Sequence, residues 1–80
     1  MTEPTKSEIH NALARKFVLE IAGETDGPSG LMVVIESTIM GTMMLLSRRD
    51  GLSPSASAEM VESAIARAME RFVAKNGRAR

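Results

Sequence analysis

Apolar residues recur with helical spacing in three segments of the chain, and two stretches rich in Gly and Pro separate these segments. In the first segment the apolar residues fall every four positions along one stripe: Ile9, Leu13, Phe17 and Ile21. Thr5 and Glu8 precede them at the spacing of a capping box. The pattern predicts an amphipathic helix over residues 6–22, with Gly23 as the residue that stops it.

The third segment carries equally clear helix signals at both ends. Ser53 followed by Pro54 is typical of a helix N-terminus, because proline lacks only an N–H that would be unpaired there. The following apolar residues alternate spacings of three and four: Ala58, Val61, Ile65, Ala68 and Phe72. Gly77 then ends the pattern, so we predict a helix over residues 54–76.

The middle segment, predicted to be a helix over residues 29–49, lacks a polar side. Its large apolar residues are spread around the whole helical wheel: Leu31, Val34, Ile35, Ile39, Met40, Met43, Met44 and Leu45. Ser37 and Gly41 lie four positions apart, the spacing that lets two helix backbones approach closely. A helical glycine costs about 1 kcal/mol relative to alanine, and close packing at Gly41 would be a reason for that cost.

The composition limits how this apolar segment can be covered. Eighty residues fit a single domain over residues 1–80, with disordered tails at 1–5 and 77–80. The sequence has no cysteine and one histidine, so neither disulfides nor a zinc site is expected to add stability. A chain this short buries only about 60–65% of its unfolded surface, so oligomerisation is the usual additional source of stability. Acidic and basic residues balance at ten each, so the net charge does not attract the chain to nucleic acid.

The apolar middle segment could be covered by a lipid bilayer, by the chain's own two other helices or by a second copy of the chain. A membrane span needs about 20 apolar residues, whereas the run from Leu31 to Leu46 is shorter and contains Glu36. Its flanks, with Glu24 before it and Arg48 after it, nevertheless suit the positive-inside rule, which leaves the membrane open as a minority alternative. The chain's own two helices would shield only part of the circumference. A second copy of the chain would cover the apolar circumference that the chain's own helices leave exposed.

We therefore predict an all-α fold: a three-helix unit that forms a homodimeric helical bundle with a buried apolar central helix. The predicted dimer interface follows the small-residue strip of the middle helix: Val34, Ser37, Thr38, Gly41, Met44 and Leu45. Glu36 would lie at the edge of that interface or pair across it, because an unpaired buried carboxylate is unfavourable.

Few residues suggest chemistry of their own. Glu36 is a possible functional carboxylate in an apolar pocket, although a structural role is the simpler interpretation. His10 lies on the apolar side of the first helix, where we expect a partly buried side chain without a catalytic partner. The sequence contains no phosphate loop, nucleophile elbow, zinc spacing or EF-hand, so neither an enzyme nor a cofactor or metal site is expected.

The function expected from these features is a small, soluble, cytoplasmic, non-enzymatic module that acts through helix–helix contacts with itself or with an unknown protein partner. One alternative is a protein that binds an apolar small molecule in a cavity lined by methionines, with Glu36 orienting a polar group. Another is a DNA-associated protein that uses its arginine-rich ends: Arg48, Arg49, Lys75, Arg78 and Arg80. Glu59 and Glu62 argue against it, since they lie near the start of the would-be recognition helix.

Overall fold

The computed structural model describes residues 3–77, which form three α-helices and no strand. In chain order the helices are α1 (Lys6–Glu24), α2 (Pro28–Arg48) and α3 (Pro54–Asn76). The predicted all-α fold with three helices is confirmed, and the predicted helix bounds are within two residues of the observed ones.

The start of α1 agrees with the sequence, but its end does not. The backbone N–H of Thr5 donates to Glu8 Oε1 at 2.8 Å, and the N–H of Glu8 donates to Thr5 Oγ1 at 3.1 Å, which completes the capping box. Gly23 does not stop the helix. The helix ends at Thr25, whose backbone is extended (φ −124°, ψ 145°), and the hydroxyl of Thr25 donates to the carbonyl of Ile21 at 2.9 Å.

The connection from α2 to α3 depends on one glycine. Gly51 has a φ of 74°, a left-handed conformation that L side chains rarely adopt. There its N–H donates to the carbonyl of Ser47, while the N–H of Leu52 donates to the carbonyl of Leu46. These bonds pair carbonyls that the end of α2 would otherwise leave open. The chain then leads directly into Ser53, the N-cap of α3.

The two ends of α3 are those that the sequence predicts. The hydroxyl of Ser53 accepts from the N–H of Ala56 at 3.1 Å, and Pro54 occupies the first helical position. Ser57, only 1% exposed, donates through its hydroxyl to the carbonyl of Ser53 at 2.9 Å. Gly77 ends the helix with a φ of 73°.

The chain divides into two compact units, Met1–Glu36 and Ser37–Arg80, and α2 contributes residues to both. Ile21 in the first unit is 8% exposed and is the only buried apolar residue between positions 3 and 77. Of the predicted disordered tails, residues 1–2 and 78–80 lie outside the described residues, whereas Thr5 and Gly77 are described as helix caps.

The burial predicted for the central helix is not present in the single chain, where no residue of α2 is buried. Four of its six half-buried apolar residues recur on one side at helical spacing: Leu31, Ile35, Ile39 and Leu46. Apart from the half-buried Val34 and Met43, the other large apolar residues of α2 are exposed. Most of the apolar stripe of α1 and the C-terminal half of that of α3 are exposed as well, for example at Leu13 and Phe72.

Loss of the α3 cap is expected to destabilise the protein measurably. Ser53→Ala removes the acceptor for the Ala56 N–H, which lowers the free energy of unfolding by about 1 kcal/mol. The measurement is urea denaturation followed by circular dichroism at a fixed protein concentration. Ser55→Ala, one helical position after Pro54, is the matched control and should leave stability unchanged or slightly raised. Equal loss in both variants would contradict the cap assignment.

Candidate functional site

The exposed side of α2 is largely apolar. We call it the α2 open face, and it consists of Val33, Ser37, Met40, Gly41, Met44, Leu45 and Arg48. At 100° per residue these side chains fall within about 140° of the helical wheel. All seven are exposed, with Val33 at 62% and Leu45 at 52%. The face is apolar in its middle and carries a cation at its C-terminal end.

Four of the six residues predicted for the interface belong to this face: Ser37, Gly41, Met44 and Leu45. Thr38 is half-buried beside it, and Val34 is half-buried although its position on the helical wheel falls within the same arc. Val33 and Met40 were missed by the sequence reasoning. Their positions one turn from Ser37, at spacings of four and three, were a usable signal, but the sequence did not reveal which side of α2 would remain open.

Gly41 makes a depression in the α2 open face. A Cβ atom built on Gly41 would meet nothing within 4 Å, so no other segment among residues 3–77 approaches this backbone. A shallow concavity of about 490 Å³ lies over it, lined by Gly41, Met44, Leu45, Arg48 and Arg49. The helix therefore presents bare backbone between apolar side chains, a surface that suits close approach of another helix.

A second concavity, of about 390 Å³, lies in the second unit. Its lining is largely methionine, with a serine and an arginine at α2 and two residues from the start of α3: Met40, Met43, Met44, Ser47, Arg48, Pro54 and Ser57. Three of the seven lining residues are methionines, and the predicted binding of an apolar small molecule stays a prediction. Glu36 is not among the lining residues, and Arg48 is the charged group instead. The sequence did not indicate Pro54 or Ser57, because their position depends on the turn at Gly51.

The two residues considered for chemistry are both exposed. The Glu36 side chain makes no hydrogen bond or ion pair with residues 3–77, and its role as a functional carboxylate stays a prediction. The expectation that His10 is partly buried is wrong, because the apolar stripe beside it, including Phe17, is itself exposed. Within the described part of the chain, no group of three or more His, Cys, Asp or Glu residues is placed to hold a metal ion.

The basic end of α2 contains one paired and one unpaired arginine. Arg49 donates through Nε and Nη2 to the two carboxylate oxygens of Asp50, each at 3.1 Å. These hydrogen bonds, with the attraction of opposite charges, hold the pKa of Asp50 below and that of Arg49 above its usual value. Arg48 has no ion pair among residues 3–77. Of the other basic residues considered for DNA, Lys75 is exposed, and Arg78 and Arg80 lie outside the described residues.

By length and composition, α2 is the one helix among the described residues that could cross a membrane. Its 21 residues span about 32 Å at 1.5 Å per residue, close to the thickness of a bilayer core. The whole helix is longer than the apolar run from Leu31 to Leu46, and the expectation against a membrane span stays a prediction. A core helix of a soluble protein meets the same length and composition criteria, but such a helix is mostly buried, whereas α2 has no buried residue in the single chain.

Comparison of the chain with protein-family models, with curated proteins and with solved structures gives no match. The function is therefore inferred from the α2 open face and the two concavities in the second unit.

The Arg49–Asp50 pair makes a testable contribution. Arg49→Gln should raise the pKa of Asp50 toward its ordinary value, because the charged hydrogen bonds are lost. NMR titration of the Asp50 side-chain carboxyl measures this change, with Arg48→Gln as the control that should leave it unaltered. Since the folded pKa is depressed, any stabilisation is present above the unfolded pKa and fades as the pH falls through the folded pKa. An Asp50 pKa unaffected by Arg49→Gln would contradict the pairing.

Proposed function

We propose that this chain is a small, non-enzymatic oligomerisation module that pairs with a second copy of itself through the α2 open face. The observation that carries the proposal is the exposed area of the single chain, which is 7194 Å². A compact monomer of 8.6 kDa is expected to expose about 4,700 Å², and two separate compact units of half that mass about 5,700 Å² in total.

The excess area matches what a stable dimer covers. Relative to two separate compact units it amounts to about 1,500 Å² per chain, and obligate homodimers bury about 1,000–2,500 Å² per partner. Much of the surface concerned is apolar, since fifteen large apolar residues are exposed between positions 3 and 77. Removing apolar surface from water is worth about 25 cal/mol per Å², so a partner that covers this surface supplies stability that the chain lacks.

A protein partner accounts for more of this exposure than a lipid bilayer does. A bilayer around α2 would cover α2 alone and would have to accommodate Glu36. The exposed apolar residues of α1 and α3, such as Leu13 and Met69, alternate with charged residues, as expected of helices that have one apolar side and one wet side. Association between chains can cover such sides while the charged residues remain in water.

The dimer is tested by mass and by substitution in the α2 open face. Wild-type chain should sediment as a dimer at micromolar concentration. Leu45→Glu places a carboxylate in the apolar contact and should raise the dimer dissociation constant by at least about a hundredfold, since burying a leucine contributes about 1.5–3 kcal/mol and a charge opposes burial. Thr42→Glu adds the same charge at an exposed position outside the α2 open face and should leave the dimer intact.

A monomer at micromolar concentration would refute the proposal. The same samples distinguish the membrane alternative by flotation with vesicles of phosphatidylcholine and phosphatidylglycerol. A chain that is monomeric in solution and floats with vesicles would show that lipid covers α2. Helicity measured by circular dichroism confirms that each variant is folded before its mass is interpreted.

A second candidate function is binding of an amphipathic small molecule, supported by the methionine-lined concavity in the second unit. Methionine side chains adapt to irregular apolar ligands. Arg48 at the same concavity would pair with an acidic head group, which favours a fatty acid over a neutral lipid.

Dodecanoic and hexadecanoic acid are the probes for this second candidate, used below their micelle concentrations. If the concavity binds them, the melting temperature should rise progressively with ligand concentration, because only the folded chain binds. Arg48→Gln should weaken the effect by removing the cation, whereas Arg49→Gln, whose guanidinium is already paired with Asp50, is the matched control. A melting temperature independent of fatty-acid concentration would eliminate this function.

A further inference from the structure

We propose that the two copies pair in antiparallel orientation along α2, with Ser37 of one copy facing the partner's Gly41 and Arg48 reaching the partner's acidic segment at Glu24 and Asp26. This inference rests on the proposed function, because it assigns an orientation and a register to the same dimer. The occupant of the α2 open face is a second copy of this chain.

The charges at the two ends of α2 are opposite and favour this orientation. Glu24 and Asp26 precede the helix, and Arg48 lies in its last turn. Arg49 is already paired with Asp50, which leaves Arg48 as the cation available on the α2 open face. In an antiparallel pair each Arg48 lies near the partner's acidic segment, and the contact forms twice by symmetry.

A parallel pair would bring like charges together instead. The two copies of Arg48 would meet at one end and the acidic segments at the other, and each contact would be repulsive. The helix dipoles act in the same direction: antiparallel neighbours place a positive N-terminus beside a negative C-terminus. Antiparallel pairing is therefore favoured by both the side-chain charges and the backbone.

The small residues set the register. With Ser37 facing the partner's Gly41, the two-fold axis passes at the level of Ile39, and the two contacts of a serine with a glycine lie on either side of it. The bare backbone at Gly41, which has no atom near its missing Cβ position, can then approach the other helix closely. In this register Arg48 faces the level of the partner's Gly30, which follows Asp26 by four residues in the sequence.

The same register leaves Glu36 in water. Glu36 lies about 100° around the helix from Ser37 and about 140° from Gly41, beyond the edge of the α2 open face. It is exposed in the single chain and need not lose its hydration in the pair. The apolar residues Val33 and Met44 meet across the interface, because Val33 of one copy falls next to the partner's Met44.

Cysteine cross-linking tests the orientation, and the chain contains no native cysteine. Val33→Cys and Met44→Cys variants carrying different tags are mixed, allowed to exchange and oxidised. In the antiparallel register the mixed disulfide should form in high yield. Each variant alone should cross-link poorly, because identical positions lie about 15–18 Å apart along the helix, beyond the reach of a disulfide. Thr42→Cys, outside the α2 open face, gives the background yield.

The outcomes separate this inference from the proposed function. Efficient cross-linking of Val33→Cys with itself and of Met44→Cys with itself, in a chain that sediments as a dimer, would overturn the antiparallel orientation and leave the dimer standing. A monomer by sedimentation would remove both. Circular dichroism of the reduced variants verifies that the helices are retained.

A charge exchange tests the contact of Arg48 with the acidic segment independently. At low ionic strength Arg48→Glu and Asp26→Arg should each raise the dissociation constant about two- to thirtyfold, because two symmetric surface pairs are lost. The double variant should regain most of the lost affinity, and 1 M salt should suppress all of these differences. Additive weakening without recovery in the double variant would overturn the assigned contact.

Discussion

The structure is governed by a shortage of apolar neighbours within the chain. Three helices form with well-defined ends, yet Ile21 is the only buried apolar residue among positions 3–77. Local hydrogen bonds at Thr5, Ser53 and Gly51 determine where the helices begin and end, but they do not cover apolar side chains. A partner that covers these side chains would supply the burial that the single chain lacks, and this is the physical basis of the proposed association.

Helix positions were predictable because they depend on short-range chemistry. Capping at Thr5 and Ser53 and the proline at the first position of α3 are read within four residues of sequence. The end of α1 was mispredicted for an instructive reason. Glycine is common just after a helix but does not by itself end one, and the chain leaves the helical conformation only at Thr25, where an extended threonine carries no distinctive sequence signal.

The surfaces of α2 were predictable only in part. The small-residue strip at Ser37 and Gly41 was visible in the sequence, because four-residue spacing places both on one face of any helix. Val33 and Met40 were missed because an all-round apolar helix does not itself reveal which side its neighbours leave open. The methionine-lined concavity likewise depends on where the turn at Gly51 brings the start of α3, which is a property of the fold and not of a pattern.

The residue at position 41 affects the stability of the single helix and the approach of a second helix in opposite directions. The methyl group of Gly41→Ala would meet no atom of the described residues within 4 Å and would strengthen the isolated helix by about 1 kcal/mol. The same methyl group would hold two helix backbones apart at the proposed closest approach. Gly41→Ala would thus stabilise the monomer and weaken the dimer. The melting temperature of a dilute, monomeric sample would therefore not indicate how well a variant at this position dimerises.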